Sequence, residues 1–174
     1  AKSLFYLGII YYEGYDKKDI NKALNYFLRS SELNDSSAQF FLGFFYSFEL
    51  DYPINPVKAM HYLNLAAGKN NLGALCLLGI IYLTGCFFKR DVEKSIHYFK
   101  KASNCNMAFP DLILANLYFE GRLVQRDINK AIHYYTYAAD TLNVQACFSL
   151  GTIYSEGKYI PRDIDKAIHY FSLA

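Results

Sequence analysis

Four histidines stand at matched places in the chain: His61, His97, His133 and His169, each 36 residues from the next. Imidazoles at a fixed period raise the question of a metal. Zinc, however, takes nitrogen ligands at about 2.0–2.1 Å around one point, whereas helical repeats of this length sit roughly 10 Å apart, the width of a helix with its side chains. Asn25 fills the same column one period earlier. The expectation is a solvated ladder, with no metal and no other cofactor. Four cysteines, Cys76, Cys86, Cys105 and Cys147, are the other candidates for chemistry. A cysteine nucleophile needs an imidazole within hydrogen-bond reach, and Cys76 and Cys147 fall in the opposite half of the repeat from every histidine. Ordinary thiols are expected.

Carboxylates and cations are laddered in the same way. Glu13, Glu120 and Glu156 recur singly, which gives no close pair for acid–base work. Lys22, Lys58, Lys94, Lys130 and Lys166 form one basic column, and Arg90, Arg126 and Arg162 another. Basic residues at repeat spacing could track a phosphate backbone. Against that, Lys22, Lys94, Lys130 and Lys166 each follow an acid within three residues, and each of these arginines directly precedes an Asp. Net charge is +2, so no nucleic-acid partner is expected, and no residue pattern supports a reaction. The chain reads as a non-enzyme.

What positions these columns is repetition. Leu7, Leu42, Leu78, Leu114 and Leu150 lie 35, 36, 36 and 36 residues apart, each followed by Gly8, Gly43, Gly79, Ala115 or Gly151. Tyr11, Tyr46, Tyr82, Tyr118 and Tyr154 come three further on. In the second half, Ala23, Ala59, Ser95, Ala131 and Ala167 precede Tyr26, Tyr62, Tyr98, Tyr134 and Tyr170 by three. Such regularity means stacked helical hairpins, each too small to bury its own apolar face.

Apolar spacing places first helices near 2–13, 37–48, 73–84, 108–120 and 145–156. Second helices fall near 20–32, 56–68, 92–104, 128–140 and 164–174. Gly14, Gly85, Gly121 and Gly157 are expected to end first helices in the left-handed region. Glu49 holds that place in the second repeat, so its turn should close differently, shaped by Pro53. Asp19, Asp91, Asp127 and Asp163 are the expected caps of second helices, with Asn55 followed by Pro56 in repeat two. Pro110 predicts a helix that begins at or just before it.

The longest uncharged stretch, residues 74–88, spans 15 residues, short of the ~18–20 that cross a bilayer, so no direct membrane insertion is expected. Cysteines at unmatched repeat positions predict free thiols and a reducing, cytoplasmic setting. The sequon Asn34-Asp35-Ser36 keeps the endoplasmic-reticulum lumen as the alternative.

Read as one line the consensus is A-x3-L-G-x2-Y-x2-G, then D-x2-K-A-x2-Y-aromatic-x2-A, as in Leu78-Gly79-x-x-Tyr82-x-x-Gly85 and Asp91-x-x-Lys94-Ser95-x-x-Tyr98-Phe99-x-x-Ala102. Across all 174 residues this resembles the Sel-one-like repeat (SLR) family, relatives of the tetratricopeptide repeats. The resemblance implies an all-α, right-handed solenoid of about five antiparallel helix-turn-helix repeats. It forms one domain over 1–174, divided near 1–36, 37–72, 73–108, 109–144 and 145–174. It also implies a non-catalytic adaptor that binds a protein or peptide. Since the chain ends inside a fifth second helix, it is expected to be a fragment of a longer array, or to use its ends for self-association.

By analogy with tetratricopeptide repeats, first-helix positions on either side of the column leucine line a concave groove. These hold Phe5, Ile9 and Tyr12; Phe40, Phe44 and Phe48; Cys76, Ile80 and Leu83; Leu112, Asn116 and Phe119; and Phe148, Thr152 and Ser155. An aromatic groove without Lys or Arg suits an apolar peptide, with no carboxylate clamp. The alternative is a structural spacer in a larger protein or complex, such as a quality-control or degradation adaptor, that makes its contacts by ends and edges.

Overall fold

The computed structural model describes residues 1–14, 18–48, 53–103, 105 and 107–174. Among these there are ten helices and no strand. The first helices of the repeats are α1 (Lys2–Glu13), α3 (Ser36–Phe48), α5 (Leu72–Thr84), α7 (Ala108–Glu120) and α9 (Val144–Glu156). The second helices are α2 (Ile20–Glu32), α4 (Pro56–Ala67), α6 (Val92–Ala102), α8 (Ile128–Asp140) and α10 (Ile164–Leu173). The all-α repeat class expected from the spacing is what the chain adopts, with helix limits within two residues of expectation. The chain forms two compact units, Ala1–Asp91 and Val92–Ala174.

Local chemistry sets each boundary. Asp19, Asp127 and Asp163 accept a hydrogen bond from the backbone N–H of Lys22, Lys130 and Lys166, each at 3.0 Å. Asn55 does the same for Lys58 at 3.0 Å, with Pro56 at the first helical position. Asn71 and Asn143 cap α5 and α9 likewise, a device that contributes about 1 kcal/mol each. The helix of the fourth repeat opens at Ala108, just before Pro110. Gly121 and Gly157 close α7 and α9 at φ 67 and 64, where a side chain costs roughly 1–2 kcal/mol. A Cβ on Gly121 would also come within 2.6 Å of that of Arg126, and one on Gly157 within 2.9 Å of that of Arg162. The turn therefore closes on the arginine column. Glu49 lies outside the described residues.

In the first unit, Ala23, Leu24 and Phe27 of α2 share one core with Leu42, Phe45 and Tyr46 of α3 and Ala59 of α4. The second helix of one repeat is thus covered by the first helix of the next. The second unit repeats the arrangement: Ala131, Tyr135, Ala138 and Ala139 of α8 lie with Ala146, Cys147, Leu150 and Ile153 of α9. Removing a wholly buried ring such as Phe27 would cost about 3–5 kcal/mol. Within hairpins the small column residue permits close approach. A Cβ on Gly8 would come 2.5 Å from the Phe27 ring, and one on Gly43 2.5 Å from Leu63.

Candidate functional site

In the first unit the candidate residues of α1 and α3 divide between core and surface. Phe5 packs on Phe27 and Phe41, with ring centroids 5.9 and 5.4 Å away. Ile9 and Tyr12 also lean on the α2–α3 core. On α3, spacing by one helical turn strings Phe40, Phe44 and Phe48 into a row, with centroids 6.4 and 5.8 Å apart. The row continues to Phe87 in the α5–α6 connection, at 6.3 Å. Phe40 rests over Gly73 of α5, where a Cβ would come 2.8 Å from the ring. Phe44 and Phe48 are exposed, while Ile80 and Leu83 are half-buried. Cys76, in the same column of the third repeat, is buried, because α5 is apolar on nearly every side.

The second unit holds a concavity rather than a row. Phe119 from α7, Tyr135 from α8 and Phe148, Ser149, Thr152, Ile153 and Glu156 from α9 enclose about 160 Å³ with Lys158 and Tyr159 of the following turn. Phe119 meets Tyr135 and Tyr159 edge-on, at 6.2 and 5.8 Å. Tyr159 in turn carries the Arg126 guanidinium 5.3 Å from its centroid and the Lys158 ammonium at 5.2 Å, each a cation held against a ring face. Tyr135 donates its hydroxyl hydrogen to Asn116 Oδ1 at 2.6 Å, so the polar member of the column is tied to the wall of the site. Burial pushes the Tyr135 phenol above its ordinary pKa. Leu112 is half-buried against the core, and Phe148 is 59% exposed.

The Sel1 repeat matches five segments, residues 1–35, 36–71, 73–107, 112–140 and 144–174. The chain belongs to the Sel1 repeat family. Among solved structures, this Sel1 repeat chain is similar to a protective antigen of uropathogenic Escherichia coli strains that displays an SLR fold, at 29% identity and a TM-score of 0.90, over 99% of this chain and 37% of that one. It is also similar to a Sel1 repeat protein from Oxalobacter formigenes, at 28% identity and a TM-score of 0.83, over 99% and 71% of the two chains. A third likeness is to cysteine rich protein B of Helicobacter pylori, at 28% identity and a TM-score of 0.57, over 77% and 96%. The chain thus spans little more than a third of the length of the Escherichia coli antigen. None of the curated proteins compared with it matches. Sel1 repeat proteins are generally protein-interaction scaffolds.

The basic columns of this Sel1 repeat chain have structural employment. Lys22, Lys130 and Lys166 pair with Asp19, Asp127 and Asp163 at 3.4, 2.9 and 3.3 Å. The same three ammoniums lie over the rings of Tyr11, Tyr118 and Tyr154, 5.0–5.2 Å from their centroids. Lys58 follows Asn55 in place of an Asp, yet sits over Tyr46 at 5.1 Å. Beneath the lysine the two column tyrosines stack almost parallel: Tyr11 on Tyr26, Tyr46 on Tyr62, Tyr118 on Tyr134 and Tyr154 on Tyr170, at 5.5–6.0 Å. The backbone N–H of Asp19, Asn55, Asp127 and Asp163 donates to the carbonyl of the first-helix tyrosine at 2.9–3.0 Å. Lysine, capping residue and tyrosine pair therefore form one clip that holds a hairpin shut.

All four histidines are exposed, and each lies edge-on against the tyrosine that follows it. Among the described residues no group of three or more His, Cys, Asp or Glu is placed to hold a metal ion. Cys147 is buried, and burial pushes its thiol up, away from a reactive thiolate. Among the described residues no helix is long and apolar enough to cross a membrane.

First-helix periodicity misses Tyr135, Ser149, Ile153, Glu156 and Lys158 of the concavity, and with them the aromatic residues Phe87 and Tyr159. These last two each stand two residues after the turn glycine, Gly85 or Gly157, and Leu123 holds the same place after Gly121. An apolar residue recurring in a polar turn was the available signal.

Proposed function

We propose that this chain is a non-catalytic scaffold that holds a protein or peptide on the exposed faces of its first helices. In the first unit the docking face is the row of Phe40, Phe44 and Phe48. In the second it is the concavity between Phe119 and Phe148. The observation that carries the reading is that concavity. Its volume of about 160 Å³ matches the ~150 Å³ of an apolar cavity able to hold benzene, so it suits one aromatic or aliphatic side chain. Glu156 and Lys158 at its edge leave polar groups for the flanking peptide backbone. Ile9, Tyr12 and Leu112 pack against the cores, and Ile80 and Leu83 are half-buried. Four free thiols support a reducing, cytoplasmic setting.

Selection from a library of random peptides displayed on phage tests the reading. Binders should be rich in aromatic and aliphatic residues. Phe44→Ala with Phe148→Ala, both exposed positions, should lower their affinity about tenfold or more while far-ultraviolet circular dichroism stays unchanged. Peptides that bind the double variant as well as the parent would refute it.

A further inference from the structure

The concavity of the second unit presents two kinds of surface to a guest. Its interior is apolar. Phe119, Tyr135 and Ile153 supply carbon surface, and the hydroxyls among them use their hydrogens inside the protein. Tyr135 donates to Asn116 Oδ1 at 2.6 Å, Ser149 to the Gln145 carbonyl at 2.8 Å and Thr152 to the Phe148 carbonyl at 2.9 Å. Of the lining residues only Glu156 and Lys158 carry charge, and both are exposed. They flank Gly157, which ends α9 in the left-handed region, so a single turn offers the concavity an acid and a base.

These charges are not matched within the chain. Lys22, Lys130 and Lys166 meet the capping Asp residues, and Arg122 meets Glu120. Among the described residues Glu156 has no cation and Lys158 no carboxylate at ion-pairing distance, and Arg126 has none either. The Arg126 guanidinium and the Lys158 ammonium lie 5.3 and 5.2 Å from the centre of the same ring, Tyr159. A residue within a peptide offers such an opening a neutral N–H and a neutral C=O. A free amino acid instead carries an ammonium and a carboxylate on one carbon. Hydrogen bonds between ionised groups are roughly twice as strong as neutral ones.

We infer that the concavity binds a free α-amino acid with an apolar side chain, such as phenylalanine. The ring enters among Phe119, Tyr135 and Ile153, where about 160 Å³ is enclosed. The ammonium meets the Glu156 carboxylate. The carboxylate meets Lys158, in the positive field that Arg126 adds. Resting on the same concavity as the scaffold reading, this ligand competes with peptide there and leaves the row of Phe40, Phe44 and Phe48 untouched.

Nuclear magnetic resonance titration of the isotope-labelled chain, read at the amides of Phe119, Tyr135, Lys158 and Tyr159, tests the inference. The probes are phenylalanine, N-acetylphenylalanine without the ammonium, phenylalaninamide without the carboxylate, N-acetylphenylalaninamide without either, and alanine without the ring. Phenylalanine should bind tightest. Neutralising one end should weaken binding roughly two- to fivefold, the range of an exposed ion pair, and neutralising both should weaken it further. Glu156→Gln should lower affinity for phenylalanine and not for N-acetylphenylalanine. Lys158→Gln should lower it for phenylalanine and not for phenylalaninamide. Both side chains are exposed, so the remaining spectrum should stay that of the parent. Four results would each overturn the inference: no saturable shifts with phenylalanine, alanine binding as well as phenylalanine, either variant weakening every probe alike, or N-acetylphenylalaninamide binding as tightly as phenylalanine. The last would leave peptide docking in place, which the phage selection decides on its own.

Discussion

Ser95 offers the sharpest energetic test of the repeat logic. It occupies the column held elsewhere by Ala23, Ala59, Ala131 and Ala167, and it is 0% exposed. Its hydroxyl has no hydrogen-bond partner among the described residues. The buried Ser47 is different: its Oγ donates to the Gly43 carbonyl one turn back, at 2.7 Å. An unsatisfied buried hydroxyl costs about 1–3 kcal/mol, and alanine adds a few tenths in helix propensity. Ser95→Ala should therefore stabilise the chain by about 1.5–3 kcal/mol. For a chain of this size that raises the melting temperature by roughly 3–12 °C. Ala131→Ser places the same hydroxyl in the equivalent wholly buried position and should destabilise by a similar amount. Urea unfolding followed by circular dichroism reads both, and amide exchange in α6 and α8 localises the effect. If Ser95→Ala is neutral or destabilising, the hydroxyl is satisfied and the argument from column identity fails.

Two further outcomes follow from backbone and charge. Leu142 has φ 56 at the end of α8, where Asn34 and Asn70 hold the equivalent turns at φ 68 and 56. Leucine adopts that conformation at a cost of about 1–2 kcal/mol, so Leu142→Gly should raise the urea midpoint by an amount equivalent to about 1 kcal/mol. The carboxyls of Asp19, Asp127 and Asp163 are held below their ordinary pKa, first of all by the backbone N–H groups they accept from. A folded pKa below the unfolded one, near 3.9, gives stability that is present above that value and is lost as pH falls through the folded value. Changing all three to Asn, the residue that caps α4, should leave melting at pH 7 nearly unchanged and flatten the acid limb below about pH 4.

Much of the fold was legible because a 36-residue period samples each environment repeatedly. Leu42, Leu78, Leu114 and Leu150 report one buried place four times over, so noise at any single residue averages out. The turn glycines and capping Asp residues were readable for the same reason, since backbone geometry at those posts admits few residue types. The site was less legible. First-helix periodicity assigns a face to Phe5 and Phe148 alike, yet Phe5 is half-buried against Phe27 and Phe41 and Phe148 is open. Cys76 belongs to the same column and is buried because both sides of α5 are apolar. What distinguishes these members is the neighbouring element, which the column itself does not encode. The lysine column also needed the structure: its place over paired tyrosines depends on two helices at once.

The most direct test of first-helix docking is site-specific photocrosslinking with a peptide selected as above. A benzophenone side chain is placed at Phe44 or Phe148 on first helices, and at His61 or His133 on second helices. The account predicts crosslinks at Phe44 or Phe148 and none above background at His61 or His133. Crosslinks concentrated at the histidine positions would place the partner on the opposite side of the hairpins and contradict it.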